Sequence, residues 1–200
     1  MSIKSLKDTV GNIDIYLFDQ ILKERYSLQD NILDAGCGTG RNIHWFYHNK
    51  FNIYGIDKDS KSIEYIKGVY PKLKDNFTVS DLETIPFKHC FFDHIISNAV
   101  LHFAKNTSHF EKMFAELIRV LKVNGSLFIR MTSDIGIENN VMEISEGVYD
   151  IPDGSIRFLI TKEYIHQLMT KYHLSFIEPV KTVNVNDKRC MTTLVLKKVK

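Results

Sequence analysis

Cysteine is scarce in this chain, with only Cys37, Cys90 and Cys190 in 200 residues. Three widely spaced thiols make neither a disulfide framework nor a zinc knuckle, so a reducing, cytoplasmic setting and no metal are expected. Long hydrophobic runs are missing too. Nothing approaches a membrane span, and Met1-Ser2-Ile3-Lys4 leads into no apolar signal region. Charge of one sign is not in excess: 26 Lys and Arg against 24 Asp and Glu leave +2. That balance gives no reason to expect a nucleic-acid partner, and Lys197-Lys198-Val199-Lys200 reads as a solvated chain end. With no internal repeat, low-complexity segment or second domain, one domain over 1–200 is expected; the oligomeric state is not readable.

What is present is an ordinary globular composition, 44% hydrophobic and 25% charged, in a chain long enough for a substantial core. The most informative stretch is Asn31-Ile32-Leu33-Asp34-Ala35-Gly36-Cys37-Gly38-Thr39-Gly40, followed by the helix-forming Arg41 to Tyr47. Strand, glycine-rich turn and helix together make the nucleotide-type ligand site of a doubly wound α/β fold. Glycine lets the backbone approach a ligand closely, and the helix start offers unpaired N–H groups.

Around it the chain alternates. Ile13, Leu17 and Ile21, flanked by Phe18 and Leu22, predict an amphipathic helix over about 14–26. Strands are expected at 31–35, 51–56, 77–80, 91–97 and 126–131, with helices over about 41–49, 60–70 and 108–121 between them. Ser108 and Glu111 suggest a capping box for the last of these, and Asn124-Gly125 its stop. Such alternation calls for a mostly parallel sheet covered on both faces. Glu146-Gly147 and Asp153-Gly154 are turn signals that predict an inserted hairpin within 132–157. A helix follows near 161–171. Two strands, 174–185 and 191–199, joined at Asn186-Asp187-Lys188, then form an antiparallel pair at one sheet edge.

The glycine spacing separates two ligands. A dinucleotide fingerprint wants glycine or alanine at position 41, which is Arg41, and the third glycine comes one place early at Gly40. A nicotinamide-dependent oxidoreductase is thereby disfavoured. Asp34-Ala35-Gly36-Cys37-Gly38-Thr39-Gly40 instead resembles motif I of class I S-adenosylmethionine (SAM)-dependent methyltransferases. Three further segments agree in order: Asp57 at the end of the second strand, Asp81-Leu82 after the third, and Phe92 to His102 along the fourth. Leu121-Lys122-Val123-Asn124-Gly125 stands where the family has a Leu-Lys-Pro-Gly-Gly turn. The resemblance implies a Rossmann-like, seven-stranded sheet with a reversed strand in the antiparallel C-terminal pair. It implies SAM as cofactor and S-adenosylhomocysteine as product. By this likeness Asp34, Gly36, Cys37, Gly38, Gly40, Asp57, Lys58, Asp81, Leu82 and Asn98 would contact the cofactor, with Asp57 on the ribose hydroxyls and Asp81-Leu82 beside the adenine.

Methyl transfer from a sulfonium needs alignment and exclusion of water, and a base only if the nucleophile must lose a proton. Candidates near the methyl are His102 as base, Tyr16 on the leading helix, and Arg130 as the partner of an anionic substrate. His44 and His48, at i and i+4, lack the glutamate of a zinc-helix motif and read as helix-surface residues. Cys37 reads as a small turn residue. The expected activity is methyl transfer to a small molecule, with the 1–30 helix as a cap and 132–157, carrying Asp134, Glu138 and Tyr149, as a lid. A protein or RNA methyltransferase and a non-catalytic SAM-binding regulator are the alternatives; Asn98-Ala99-Val100-Leu101 is not the motif of amino-directed nucleic-acid methyltransferases.

Overall fold

The computed structural model describes residues 3–200; Met1 and Ser2, at the start of the leading segment, lie outside that range. Five strands alternate with helices: β1 (Asn31–Ala35), β2 (Asn52–Asp57), β3 (Phe77–Val79), β4 (Phe92–Asn98) and β5 (Leu121–Ser133). Before β1 come α1 (Ile3–Val10) and α2 (Ile15–Leu22). Between the strands lie α3 (Ile43–His48), α4 (Ser60–Val69) and α5 (Thr107–Val120). After β5 come the short strands β6 (Met142–Ser145), β7 (Val148–Asp150) and β8 (Ile156–Phe158). The chain closes with α6 (Lys162–Lys171), β9 (Leu174–Phe176), β10 (Lys181–Val185) and β11 (Arg189–Lys198). No helix among the described residues is long and apolar enough to cross a membrane.

The main sheet has the order β10-β11-β5-β4-β1-β2-β3, with β1 to β5 parallel and β11 reversed against β5. It holds eight strands, one more than expected. The stretch read as a single strand over 174–185 is split into β9 and β10, both antiparallel to β11. Pro179, which has no N–H for a ladder, stands in the break. The insertion is likewise larger than a hairpin: β6, β7 and β8 form a three-stranded antiparallel sheet. Gly147 and Gly154 supply its positive-φ turns.

Helix boundaries follow their caps. Asp14 caps α2 by accepting from the N–H groups of Tyr16 (2.9 Å) and Leu17 (3.4 Å), and the helix stops at Leu22 rather than 26. Asn106, not Ser108, caps α5, accepting from the His109 N–H at 2.8 Å. Glu111 pairs with Lys171 instead of closing a capping box. Asn124 (φ +67) does not end α5, which stops at Val120; it bends the start of β5 where that strand's register with β4 shifts.

Apolar residues alternate across the sheet and fill two cores. Ile32, Ile53, Ile96, Phe128 and Val195 meet Leu17, Ile43, Phe46, Ile63 and Ile66 from α2, α3 and α4 on one face. Leu33, Ile95, Leu127, Ile129 and Leu194 meet Phe110, Phe114, Leu117, Ile165 and Leu168 from α5 and α6 on the other. Burial of this kind contributes about 1.5–3 kcal/mol per large apolar side chain.

A polar clasp binds the end of α2 to the edge of the sheet. Glu178, buried, accepts from Lys23 (2.7 Å), Arg25 (2.7 Å) and Lys181 (2.6 Å), while Asp19 takes Lys23 and Lys181 from its other side. Burial opposes its charge, but hydrogen bonds from Lys181, Lys23 and Arg25 win and hold the carboxyl far below its ordinary 4.5. A depressed carboxyl stabilises the fold above its unfolded value, and that contribution is lost as pH falls below about 4.5. Glu178→Gln is expected to cost about 2 kcal/mol at neutral pH, because three half-exposed cations lose their shared anion. The deficit should shrink as acid protonates the wild type; a thermal-melt series across pH that shows a constant deficit would refute this account.

Candidate functional site

In the sheet order, the chain leaves β1 toward β2 and β3 on one side and returns to β4 and β5 on the other. The carboxyl ends of β1 and β4 therefore part into a crevice, the place where open α/β sheets bind ligands. A cavity of about 210 Å³ opens there. Gly36, Asp57, Lys58, Asp81 and Leu82 line it, five of the residues singled out in the sequence and drawn from three separate strand ends.

Local geometry explains how they are held. The N–H groups of Gly36 and Cys37 both donate to the Ile56 carbonyl (2.8 and 3.0 Å), which ties the loop to β2. Asp57 accepts from the Gly38 N–H (2.8 Å) through one oxygen and from the Asp59 N–H (2.9 Å) through the other. Its carboxylate is thus fixed at the strand end with lone pairs left over.

The three loop glycines serve different ends. At Gly36 (φ +83) a Cβ would lie 2.3 Å from Val100 Cγ2, so this glycine makes room for the chain leaving β4. At Gly40 a Cβ would lie 2.8 Å from the Tyr70 ring, so this one packs against α4 and away from the cavity. Only at Gly38 is the space open, with nothing within 4 Å. Of the three only Gly36 lines the cavity, and Gly38 is held beside it by Asp57.

Ala99, next to Asn98, has φ +61, a strained conformation for a residue with a Cβ. Its N–H donates to the Arg130 carbonyl at 2.8 Å, and the turn it makes puts Ala99 and Val100 on the cavity wall. Glu83, Phe103, His109 and Met113 complete the wall. Ala99, Val100 and Glu83 fall in segments that the sequence matched to the family without being singled out, and Phe103, His109 and Met113 were missed; Met113 reads only as a core position of α5, and Phe103 carries no pattern of its own.

The other singled-out residues lie elsewhere. The Cys37 side chain turns into the core, where burial first and then the Asp34 and Asp57 carboxylates hold its thiol far above the ordinary range. Burial disfavours the thiolate that a nucleophile would need, and Cys37 is not on the cavity wall. His102 is buried off the cavity, its Nδ1 unpartnered, and Phe103 stands in the wall instead. Burial, then Arg157 and Arg189, push its pKa down to about 4, too low for an effective base at neutral pH. Tyr16 and Arg130 are together: the guanidinium sits 4.8 Å from the Tyr16 ring centroid and 3.6 Å from Asp14 Oδ2. That second distance is an ion pair too long to be a hydrogen bond.

Two more residues stand out by what they lack. Asp34 is 1% exposed, and neither of its oxygens has a hydrogen-bond partner. It does not orient the loop backbone. Burial is the main reason its pKa is pushed up to about 7, with Arg41 opposing and Asp57 adding to the rise. Asn98 is buried with both amide atoms unpartnered. Buried groups of this kind each cost about 1–3 kcal/mol unless something pairs with them.

Doubly wound topology, a glycine loop tied to an acid at the next strand end, and a cavity at the switch point define a nucleotide-type ligand site. Comparison with known proteins narrows the class. Residues 33–129 match the family described as a methyltransferase domain. An uncharacterised methyltransferase of Bacillus subtilis is 35% identical over 109 residues, covering 54% of this chain and 42% of that relative. The chain thus matches less than half the length of that protein. A SAM-dependent methyltransferase from Methanosarcina mazei shares the fold with a TM-score of 0.72 at 19% identity, over 90% of this chain and 97% of that one. The [4+2]-cyclase SpnF does so with a TM-score of 0.70 at 14% identity, over 98% and 92%. Residues 33–129 of this chain therefore resemble a methyltransferase domain, and the chain shares the fold of SAM-dependent methyltransferases.

Proposed function

We propose that the protein transfers a methyl group from SAM to a small-molecule acceptor by in-line displacement. The observation that carries this reading is the switch-point cavity lined by Gly36, Asp57, Lys58, Asp81 and Leu82. The donor set suits SAM: an acid with free lone pairs for a ribose diol, an acid and an apolar residue for adenine, and an unpaired buried carboxylate, Asp34, for an ammonium group. Bound SAM supplies a methyl on a sulfonium, whose carbon–sulfur electron pair stays on sulfur as an acceptor lone pair takes the carbon.

The chain's own residues bind and align. Asp57 holds the ribose, Asp81 and Leu82 border the adenine between the Phe103 and Met113 walls, and Gly38 gives the backbone its open approach. Tyr16 on α2 covers the methyl end, and residues 132–157 form a lid whose Arg157 lies 5.0 Å from the Phe103 ring centroid. The near-neutral charge and small cavity support a small acceptor in a cytoplasmic protein of one domain. The fold likeness to a cyclase supports a second reading, a SAM-binding protein that transfers no methyl.

Incubation of the protein with methyl-labelled SAM and a metabolite extract is expected to move label into a small product. SAM and S-adenosylhomocysteine should both raise the melting temperature, and NAD should not. Stabilisation without transfer to any extract would favour the non-transferring reading.

A further inference from the structure

Asn98, Arg130 and Thr193 stand in one row across β4, β5 and β11: Asn98 is in register with Arg130, and Arg130 with Thr193. Partners in register share a face of the sheet. All three carry polar atoms with no hydrogen bond, namely both amide atoms of Asn98, Nε of Arg130 and Oγ1 of Thr193. Asn98 is 7% exposed and Thr193 3%. Three adjacent residues left unsatisfied in this way are costly, and nothing in the packing of the sheet requires them.

The start of α2 lies over this row. The Asp14 N–H donates to Asn42 Oδ1 at 3.2 Å beyond the glycine loop, while its side chain faces Arg130 and Tyr16 stacks on the same guanidinium. Asn42 follows β1 and Arg130 lies in β5, so α2 begins across the ends of β1 and β4, beside the crevice. Arg130 therefore faces one internal carboxylate, held 3.6 Å away and short of a bidentate bond.

We propose that this row is the seat of the acceptor's own carboxylate, bound by Arg130 with Asn98 and Thr193, and that Asp14 is its internal stand-in. This rests on the methyltransferase reading above and names the class of substrate for it: small carboxylic acids, amino acids among them. One guanidinium flanked by neutral donors matches a single negative charge better than a phosphate. Arg130 is a specificity residue here, not a base. Docking of the acceptor displaces Asp14, so α2 shifts when substrate binds.

The test uses the full chain, methyl-labelled SAM and a metabolite extract separated beforehand on an anion exchanger at alkaline pH, where amino acids are also retained. Label is expected in reactions with the early-eluting carboxylate fraction. Arg130→Met should reduce that transfer roughly tenfold or more, with affinity for S-adenosylhomocysteine unchanged. Asp14→Asn, which keeps a good helix cap, should lower KM for the same fraction, since it frees the guanidinium. That opposite effect guards against a variant that merely misfolds.

Label taken up only from the unretained or the late phosphate fractions would overturn the carboxylate seat and leave methyl transfer standing. Loss of S-adenosylhomocysteine affinity in Arg130→Met would overturn it too, by assigning the arginine to the cofactor. No label from any fraction would remove the methyltransferase reading, and the seat with it.

Discussion

Asp57→Ala is expected to weaken binding of S-adenosylhomocysteine at least a hundredfold in a calorimetric titration. The carboxylate ends β2 on the cavity wall, where the two N–H bonds from Gly38 and Asp59 fix its orientation. Alanine removes two acceptors for a diol, and each hydrogen bond to a charged group contributes about 1.5–3 kcal/mol. The sum is at least two factors of ten at about 1.4 kcal/mol each. It also frees the Gly38 N–H, so the loop that offers the open approach loses its tie. Asp57→Asn keeps one acceptor oxygen and should fall between wild type and alanine. Unchanged affinity in the alanine variant would remove the ribose assignment.

Asp34→Asn should stabilise the ligand-free protein above neutral pH while weakening cofactor binding. The sign follows from the direction of the shift. A carboxyl whose pKa is raised from 3.8 to about 7 on folding contributes stability that is full below 3.8 and is lost as pH rises through about 7. Well above that value the ionised, unpaired group costs the fold on the order of 4 kcal/mol. Asparagine carries no charge but leaves its amide unpaired at about 1–3 kcal/mol, so a gain on the order of 2 kcal/mol remains. Cofactor binding runs the other way. A cationic ammonium pairs with the ionised form, so wild-type affinity should fall as pH drops below about 7. The variant should bind weakly and show no such dependence. Melting curves and titrations a unit either side of that pH would check both; equal pH profiles for variant and wild type would discard the role of Asp34.

Much of this was legible beforehand because it is local. Ile32, Leu33 and Ala35 announce a strand buried on both faces, and the loop after it and the acids at the next strand ends follow in order. Asp57 was read from the resemblance to the methyltransferase family, and the structure puts it on the cavity wall. Boundaries were less legible. The cap of α5 fell to Asn106 rather than Ser108 because its side chain reaches the His109 N–H. Pro179 broke an apparently continuous strand because the ladder needs the N–H it lacks.

The site's second half was not legible, because its parts are far apart in sequence. Arg130 and Tyr16 were named separately, and only the packing of α2 over β5 stacks them. Phe103, His109 and Met113 join the cavity wall through the turn at Ala99, a conformation no propensity predicts. His102 was placed near the chemistry by its position after β4, yet burial turned it away and weakened it as a base. Cys37 was in the motif, but its side chain belongs to the core.

The glycine loop, then, was determined by the sequence itself: a short run of residues with fixed φ requirements has few ways to fold, and its spacing carries the class of ligand. What each glycine does was decided only by tertiary structure. Val100 claims Gly36, Tyr70 claims Gly40, and Gly38 alone faces open space. The same holds for Asp34 and for the row Asn98, Arg130 and Thr193. Whether a polar side chain finds a hydrogen bond depends on what distant segments bring to it; Asp34, Asn98 and Thr193 receive none, and Arg130 receives only the distant Asp14 carboxylate and the Tyr16 ring.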